Sequence, residues 1–405
     1  MRVLLIHQAF VSPDEAGGTR HYELGKYVVS SGHQFTIVAS DLSYLTGKAI
    51  NQQRSLVFEQ QLNGIRILRA FTYPSLHRSF AWRVISFLSF MVTSVWAGLR
   101  AGPIDLVIGT TPPIFQAVSA WLVALLRRRP FLLEIRDLWP TFAIDMGVLH
   151  NPLLIILAKW LERFLYAQAT HLLVNSPAYR DYLIQKGVRA DKITLIPNGV
   201  TTSMFDPDAK GEEVRQNWQL NGEFVVTYAG ALGLANDIPT ILRAAEQLRE
   251  QTHIHFLLVG DGKERQQLER TAQQLKLSNV TFTGSVAKSR MPAVLAASDA
   301  CVATLQNIPM FTTTYPNKVF DYMAAGRPTI LGIDGVIRQV IEDAQAGIFV
   351  QPGDDKALAN AVLTLANDRT KAQAIGASAR AYVQKHFERS QQAEQFAELL
   401  EKFAR

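Results

Sequence analysis

One lysine and one aspartate stand in an otherwise uncharged segment, TTTYPNKVFDYMAAG, residues 312–326. Lys318 and Asp321 are three residues apart, so a helix here places them on one face. A proline before the helix and Gly326 after it predict its two ends. Such a pair can hold a ligand that combines negative charge with hydroxyl groups. It can also belong to an ordinary capped surface helix, and this segment leaves both readings open.

Two glycine-containing loops have the composition of anion-binding turns. In the first, Gly17 and Gly18 precede Arg20 and His21 after an apolar run. Glycine lets the backbone approach a ligand closely, and a helix start offers amide donors to an anion. The spacing is not the G-x-G-x-x-G pattern of dinucleotide-binding proteins. A flexible β–α loop is the alternative reading.

The second loop follows a similar plan: an apolar run, the turn Gly260-Asp261-Gly262, and then Lys263 and Arg265. Both cations could meet a diphosphate at the start of the following helix. Turns of this composition also serve only to reverse the chain.

A third group of side chains ends another apolar run, in EIRDLWP, with Glu134, Arg136, Asp137 and then Trp139. Charged groups and an indole at the carboxyl end of a parallel strand lie where α/β proteins bind ligands. The alternative is a structural Arg–Asp pair. No P-loop, G-x-S-x-G motif or convincing metal-binding cluster is evident in the sequence.

The elements that must position these residues follow a βαβ rhythm. Short apolar runs predict strands in the first half at 2–6, 35–40, 65–70, 105–110, 131–136, 171–176 and 193–198. The rhythm restarts with strands at 224–230, 254–262, 280–286, 300–304, 328–332 and 348–354. We therefore predict an α/β protein of two Rossmann-like, doubly wound domains, 1–200 and 201–388, facing a central cleft.

Composition restricts the class of protein further. The single cysteine, Cys301, excludes internal disulfides and fits a reducing compartment. Residues 1–200 carry 20 Lys and Arg against 12 Asp and Glu, a balance of +8, whereas the remainder carries 21 against 23. A basic first half suggests an anionic partner: phosphates, nucleic acid or a membrane surface.

Two apolar stretches in that basic half are flanked by arginines, residues 82–100 and 120–130. Both are readable as buried core helices, and both also fit helices that lie in a membrane interface. The longest uncharged run, Val84–Leu99, is shorter than the roughly 20 residues that span a bilayer. We therefore do not expect this chain to be an integral membrane protein.

Several motifs, in their order along the chain, resemble those of family-4 retaining glycosyltransferases of the GT-B fold. These are GGTRHYELGKYVVSSGH, EIRDLWP, ITLIPNGV, YAGALG, LVGDGKERQQLE, VTFTGSV and PNKVFDYMAAGRP. The resemblance extends over nearly the whole chain and is strongest to the bacterial O-antigen and polysaccharide subgroup called L-fucosamine transferase-like. It also implies a final helix within 389–405 that returns to the first domain.

The resemblance implies roles for individual residues. Asp321 is expected to bind the ribose hydroxyls of the donor, and the backbone from Gly284 to Val286 is expected to bind the base. The remaining donor residues are expected to bind the sugar and the diphosphate. On the acceptor side we expect Arg20, His21, Arg136 and Trp139, with Asp137 orienting the acceptor or stabilising the cationic sugar. The remaining donor residues are Gly17, Gly18, Gly230, Gly233, Gly260, Lys263, Arg265, Thr313, Thr314, Asn317 and Lys318.

The chain departs from the family pattern at two places. Thr313 stands where the family often has a glutamate that contacts the sugar, so Thr312–Thr314 or nearby amides must replace it. The family's arginine and lysine after the YAG-type loop are also missing, and Lys263, Arg265 and Lys318 are the predicted replacements. Lys263 and Lys318 are thereby assigned to catalysis with Asp137.

The expected activity is transfer of a sugar, for example an N-acetylated amino sugar, from a UDP-linked donor with retention and without a metal or other cofactor. The expected acceptor is a glycan or a polyprenyl-diphosphate-linked glycan, and nucleic acid is not an expected partner. The expected location is the cytoplasm, at the inner face of the cytoplasmic membrane, through peripheral contact of the first domain with anionic lipid. The alternatives are a GT-B-fold UDP-sugar epimerase and a non-catalytic nucleotide-sugar-binding or membrane scaffold protein.

Overall fold

Two compact units make up the chain in a computed structural model that describes residues 1–43, 47–50, 55–74, 80–220 and 222–404. The first unit consists of Met1–Ser12, Thr19–Pro197 and Ser390–Arg405, and the second of Pro13–Gly18 and Asn198–Arg389. The chain changes unit after Pro197, near the predicted boundary at residue 200. The loop Pro13–Gly18 groups with the second unit, whereas residues after 389 group with the first.

The first unit is built on an eight-stranded sheet in the order β3-β4-β2-β1-β5-β6-β7-β8. The strands are β1 Arg2–Ile6, β2 Gln34–Ser40, β3 Val57–Leu62, β4 Ile65–Ala70, β5 Leu106–Thr111, β6 Phe131–Ile135, β7 His171–Val174 and β8 Ile193–Leu195. All neighbours are parallel except β3 and β4. The helices are α1 Arg20–Ser30, α2 Phe80–Leu99, α3 Ile114–Arg127, α4 Thr141–Asp145, α5 Pro152–Gln168 and α6 Pro177–Gln185.

The second unit contains a six-stranded parallel sheet in the order β11-β10-β9-β12-β13-β14. Its strands are β9 Phe224–Ala229, β10 Ile254–Val259, β11 Val280–Gly284, β12 Ala300–Thr304, β13 Thr329–Gly332 and β14 Gly347–Phe349. Its helices are α7 Glu212–Asn217, α8 Ile238–Gln247, α9 Arg265–Gln274, α10 Met291–Ala296, α11 Asn317–Ala324, α12 Val336–Asp343, α13 Asp355–Asn367 and α14 Arg369–His386. The last helix, α15, runs from Arg389 to Phe403.

Both sheets confirm the prediction of two doubly wound α/β units. In the second unit, β9 is the first strand, and the order is the 3-2-1-4-5-6 arrangement of a Rossmann fold. The strand order reverses between β9 and β12 there, and between β1 and β5 in the first unit. Ligands of such sheets bind beyond the carboxyl ends of the strands at this reversal.

The edge strand β3 was not predicted from the sequence. It pairs antiparallel with β4 through a tight turn in which Asn63 and Gly64 both have positive φ, 49° and 81°. An Asn-Gly dipeptide is the strongest short-range hairpin signal, and it stands in the sequence at this turn. The mixed polarity of VFEQQL concealed the strand, because an edge strand needs no continuous apolar run.

Hydrophobic cores cover the faces of both sheets, where β-branched and aromatic side chains pack. In the first unit, the side chains of β1, β2 and β5 share one cluster with Phe396 and Leu400 of α15. In the second unit, separate clusters lie on the two faces of the sheet, and the cluster around Val319 and Phe320 anchors α11.

One described helix is long and apolar enough to cross a membrane by length and composition, within Trp82–Leu99 of α2. A third of that stretch is buried in the protein. A single helix of this kind is weak evidence for a membrane span.

Candidate active site

Helix α11 brings Lys318 and Asp321 to the carboxyl-terminal side of the second sheet. The helix begins at Asn317 after Pro316 and ends before Gly326, whose φ of 66° suits glycine after a helix. Its apolar side, with Val319 and Phe320 fully buried, holds it against the sheet. The helix boundaries agree with those predicted from the sequence.

The ammonium of Lys318 lies in a socket of neutral groups. Its Nζ donates to the Tyr228 hydroxyl at 2.7 Å and to Oδ1 of Asn236 at 2.9 Å, and it lies 4.1 Å from the centre of the Tyr228 ring. A Cβ at Gly230 would come within 2.8 Å of Nζ, so the glycine leaves room for the ammonium. Burial lowers the pKa of Lys318 to about 7. No carboxylate of the described residues forms an ion pair with it.

Tyr228 stays a neutral phenol in this arrangement, because burial raises its pKa. Its hydroxyl donates to the carbonyl of Ala231 at 2.8 Å, which leaves the oxygen as an acceptor for Lys318. The ammonium therefore depends on dipoles and a ring face, and an anion that approached it would meet little competing negative charge.

Asp321 pairs with a residue that the sequence did not indicate. Its Oδ2 lies 2.5 Å from Nζ of Lys288, and the two side chains are 15% and 13% exposed. Lys288 follows β11, so the pair joins two strand-end segments of the unit. The ribose contact predicted for Asp321 stays a prediction, and the structure adds Lys288 to the candidate site.

The loop Pro13–Gly18 ends beside the start of α11. A Cβ at Gly18 would lie 3.4 Å from Nδ2 of Asn317, and the Oδ1 of Asn317 is buried without a hydrogen-bond partner. The amide of Lys288 also donates to the carbonyl of Glu15 at 3.1 Å. The structure thus places Gly18 beside Asn317, the residue before Lys318 in α11, and all three were predicted to belong to one donor site. Gly17 precedes Gly18 in the loop and has a φ of 143°.

Close backbone packing accounts for one of the predicted donor glycines. A Cβ at Gly260, where φ is 151°, would collide with the carbonyl of Gly230. The amide of Gly260 donates to the carbonyl of Gly284 at 2.9 Å. A Cβ at Gly233, in the adjoining loop, would point into open space. Gly260 is therefore a structural glycine, which holds the loop after β9 against the loop after β10.

Two predicted cations near this turn differ in surroundings. Arg265 is paired with Asp261 at 3.2 Å and with Glu269 at 2.7 Å, so two carboxylates balance its charge. This pairing argues against the predicted diphosphate contact of Arg265. Lys263 is exposed in the turn before α9. Its predicted catalytic role stays a prediction.

The segment after β11, predicted to meet the base, has its backbone partly engaged. Gly284 has a φ of 82°, and its carbonyl accepts hydrogen bonds from Gly260 and from the Thr283 hydroxyl. Val286 packs against the hydrophobic core.

The threonines that replace the expected glutamate direct their hydroxyl hydrogens back to the chain. Thr312 donates to the carbonyl of Pro309, Thr313 to that of Met310 and Thr314 to that of Phe311, at 2.6–2.9 Å. Each of these bonds links a threonine to a carbonyl three residues earlier, within or next to the short 3-10 helix Pro309–Thr313. Thr313 and Thr314 can therefore contact a sugar only as acceptors, through hydrogen bonds that their hydroxyl oxygens accept from sugar hydroxyls.

Arg20 and His21 of the first unit surround a buried carboxylate. Arg20 Nε lies 2.9 Å from Oε1 of Glu134, and His21 Nε2 lies 2.5 Å from Oε2. The other two guanidinium nitrogens of Arg20 donate to the carbonyls of Ile196 and Pro197. Arg20 is 2% exposed, so its position gives it a structural role and argues against the predicted acceptor contact.

Glu134 is the centre of this buried group. The neighbouring His21 and Arg20 hold the pKa of the Glu134 carboxyl well below its usual range, against the opposing effect of burial. Burial also lowers the pKa of His21, against the effect of Glu134. The arrangement ties α1 to the end of β6.

Arg136 follows β6 and lies beside His7 at the end of β1. Arg136 Nη1 is 3.3 Å from Nε2 of His7, and Nδ1 of His7 is 2.8 Å from the Thr110 hydroxyl. Burial, with help from His21 and Arg136, lowers the pKa of His7 well below its usual range. His7 was missed in the sequence, although its position directly after an apolar strand is the signal that identified the other strand-end residues.

Asp137 and Trp139 continue the same strand end. Burial raises the pKa of Asp137 to about 6, although Arg136 and the hydroxyl of Tyr179, 3.5 Å from Oδ1, favour the ionised form. A carboxyl poised near neutrality fits a catalytic group. The Trp139 ring lies 6.5 Å from that of Phe115.

Comparisons with known proteins match both units. Residues 16–199 match the family model "Glycosyl transferase 4-like domain", and residues 223–368 match "Glycosyl transferases group 1". One relative is named as the colanic acid biosynthesis glycosyl transferase WcaI of Escherichia coli (strain K12). It is 24% identical to this chain over 81% of this chain and 82% of its own length. The alpha-D-kanosaminyltransferase of Streptomyces kanamyceticus is 25% identical over 52% of this chain and 55% of its own.

Solved structures agree in fold over almost the whole length. Sucrose-phosphate synthase from Thermosynechococcus elongatus superposes with a TM-score of 0.78 at 20% identity, covering 99% of this chain and 98% of its own. Anabaena HepE in complex with UDP-glucose superposes with a TM-score of 0.74 at 19% identity, covering 99% and 100%. The chain therefore belongs to the GT-B glycosyltransferases, with a glycosyl transferase 4-like domain followed by a glycosyl transferases group 1 domain.

Proposed function

We propose that the protein is a retaining glycosyltransferase that moves a sugar from a UDP-linked donor to a lipid-linked or glycan acceptor in bacterial surface polysaccharide synthesis. The observation that carries this proposal is the Lys318 ammonium, buried among neutral groups on the same helix as Asp321. A cation held without a carboxylate is prepared for an incoming diphosphate, since the anion then supplies its counter-charge.

The structural relatives support the choice of UDP. HepE, which shares the fold, was solved in complex with UDP and with UDP-glucose. The WcaI name supports polysaccharide synthesis, and the kanosaminyltransferase name supports an amino sugar. Within this class, we propose an N-acetylated amino sugar as donor and membership of the L-fucosamine transferase-like subgroup.

The reaction follows from the charges at α11. Lys318 stabilises the negative charge that grows on the leaving nucleoside diphosphate as the bond to the sugar breaks. The acceptor hydroxyl attacks from the same face, and a phosphate oxygen of the leaving group takes its proton. Lys288 pairs with Asp321 through Oδ2, and we propose that this carboxylate accepts hydrogen bonds from the ribose hydroxyls of the donor. Protein cations supply the charge neutralisation, so we propose a reaction without a metal.

The acceptor is proposed to reach the first unit from a membrane. Helices α2, α3 and α5 lie side by side, as the contacts of Phe87 with Phe115 and of Trp121 with Phe164 show. They expose a set of large apolar side chains that we call the apolar face. Its members are Ile85, Leu88, Val92, Trp96, Leu125, Leu126, Leu153, Leu154, Ile156, Leu157 and Trp160.

The charges around the apolar face favour anionic lipid. The cations on and beside these helices are mainly exposed: Arg83, Arg100, Arg127, Arg128, Arg129, Lys159 and Arg163. The one carboxylate within the three helices, Glu162, is 1% exposed and paired with Lys186 at 3.0 Å. Apolar side chains ringed by cations match a membrane interface. We therefore propose peripheral attachment to the inner, cytoplasmic face of the membrane.

The enzymatic proposal is tested with radiolabelled UDP-sugars, offered with and without a polyprenyl-diphosphate-linked acceptor. We expect acceptor-dependent transfer with retained anomeric configuration. Epimerised donor without acceptor would identify a UDP-sugar epimerase instead, and donor binding without any turnover would identify a binding or scaffold protein. Lys318→Ala is expected to weaken UDP binding far more than it lowers the free energy of unfolding.

The membrane proposal is tested by flotation with vesicles of phosphatidylglycerol and phosphatidylethanolamine. A Leu157→Asp, Trp160→Asp double variant should float several-fold less than wild type, because both side chains are more than half exposed and charge there opposes insertion. Leu234→Asp is the matched control, since Leu234 is 60% exposed in the second unit. Equal flotation of all three proteins would refute the apolar face as the contact.

A further inference from the structure

We propose that Arg136 binds a phosphate group of the acceptor, and that the aromatic row beside it accommodates a hydrocarbon chain attached to that phosphate. This inference rests on the proposed function and names the chemistry of its acceptor site. All of the residues involved belong to the first unit.

The nearest buried carboxylate is already neutralised by other residues. Both oxygens of Glu134 are engaged, one by Arg20 and the other by His21, and the Arg20 and Glu134 side chains are each 1% exposed. Arg136 forms no ion pair with any carboxylate of the described residues, its neighbour Asp137 included. Its charge lowers the pKa of Asp137 and of Glu134 through space, but no described carboxylate lies within ion-pair distance of the guanidinium, so a ligand anion can still approach it.

The guanidinium of Arg136 has unused donors. Its Nε is buried and has no hydrogen-bond partner, and among the described residues the guanidinium hydrogen-bonds only through Nη1, to the neutral His7. A buried donor without a partner destabilises a folded protein, because it has lost its hydrogen bond to water. Arginine presents five N–H donors in a planar fork that matches a phosphate group in bidentate fashion. The unused donors fit such a group.

His7 fixes the orientation of the fork. Its Nδ1 side faces the Thr110 hydroxyl, and that hydroxyl also accepts from Nε2 of Gln116 at 2.8 Å. Burial keeps His7 neutral, so Nε2 accepts the hydrogen bond from Nη1 of Arg136. One nitrogen of the guanidinium is thereby anchored to β1 and β5, while the rest of the fork stays open.

An aromatic row leads from this strand end toward α2. The Trp139 ring is 6.5 Å from Phe115, and Phe115 is stacked 6.2 Å from Phe87 of α2. The neighbouring residues Ile85 and Leu88 of α2 belong to the apolar face and are 43% and 39% exposed. A phosphate on Arg136 with a hydrocarbon chain along these rings describes a lipid phosphate better than a soluble sugar phosphate.

The test measures binding of geranyl diphosphate to the full chain by calorimetry, with saturating UDP present to occupy the donor site. Geraniol, glucose 6-phosphate and glucose are run beside it. We expect geranyl diphosphate to bind more tightly than geraniol. Arg136→Gln should weaken the binding of geranyl diphosphate at least about tenfold, since hydrogen bonds to charged groups are stronger than those between neutral groups. Arg136→Lys should lose part of the affinity, because it keeps the charge but not the fork. Arg189→Gln, an exposed arginine of the same unit, is the matched control.

The outcomes separate this inference from the function on which it rests. If wild type fails to bind UDP, the proposed function falls. If UDP binds equally to wild type and Arg136→Gln but geranyl diphosphate does not distinguish them, the Arg136 inference alone is overturned. If Arg136 is needed for glucose 6-phosphate and geranyl diphosphate does not bind, the phosphate contact stands and the lipid chain is refuted. Unchanged UDP affinity and thermal melting of Arg136→Gln show that the variant is folded.

Discussion

Donor binding should take up a proton through Lys318. The ordinary pKa of a lysine is 10.5, and burial lowers that of Lys318 to about 7. About nine-tenths of the molecules then carry the ammonium at about pH 6, and about one-tenth at about pH 8. If UDP requires the charged form, its affinity should fall about tenfold over this range, which corresponds to about 1.4 kcal/mol. The diphosphate stabilises the ammonium, so each binding event near pH 7 should take up roughly half a proton.

Isothermal titration of UDP in two buffers of different ionisation enthalpy measures this proton uptake directly. The terminal phosphate of UDP titrates in the same range, so the reference is Lys318→Met, which keeps the length of the side chain without the charge. The difference between the two proteins isolates Lys318. Equal proton uptake, or equal dependence of UDP affinity on pH, would refute the assignment of Lys318 to the diphosphate.

Three further substitutions test other parts of the site. Asp137→Asn should reduce sugar transfer yet raise the thermal midpoint at about pH 8. The pKa of Asp137 in the folded protein, about 6, lies above the ordinary 3.8, so wild type loses stability as the pH rises between these values, by about 3 kcal/mol at most. A difference in midpoint between the two proteins that persists at about pH 4 would contradict this explanation. Glu134→Gln should lower the free energy of unfolding by about 3–5 kcal/mol in urea titration, because it removes the carboxylate that balances the charge of the buried Arg20. A loss below about 1 kcal/mol would show that the pair is dispensable. Gly260→Ala should destabilise the fold by more than about 1 kcal/mol and weaken UDP binding, since the added Cβ meets the carbonyl of Gly230. A variant that melts at the wild-type temperature and binds UDP with wild-type affinity would disprove that packing role.

Local patterns predicted much of the fold, because parallel strands buried on both faces are continuous apolar runs. LLI in β1 and FLLV in β10 are examples, and both strands lie where the sequence placed them. The strand β3 was not predicted, because its sequence mixes apolar and polar residues, as an edge strand can. The Asn63-Gly64 dipeptide, which forms the turn after β3, was the signal that could have identified it. The helix α11 was predicted with its ends, because proline and glycine mark both.

Partners that are distant in sequence were out of reach of such patterns. The pair of Lys288 with Asp321 spans two elements, and neither residue carries a local sign of the other. Likewise, the charge of Arg20 predicted a ligand contact, whereas in the fold Arg20 is paired with Glu134. A charged residue at a strand end predicts a polar site, but only the fold decides whether its charge is balanced inside the protein.

The division of the chain has a consequence for its synthesis on the ribosome. Phe396 and Leu400 belong to the core of the first unit, yet they are made after the entire second unit. At 5–20 residues per second, the roughly 190 intervening residues take about 10–40 s. During that interval the nascent first unit carries an uncovered apolar surface where α15 will lie. Chaperones that shield emerging chains are therefore expected to act on its amino-terminal half, and a fragment that stops near residue 200 should aggregate.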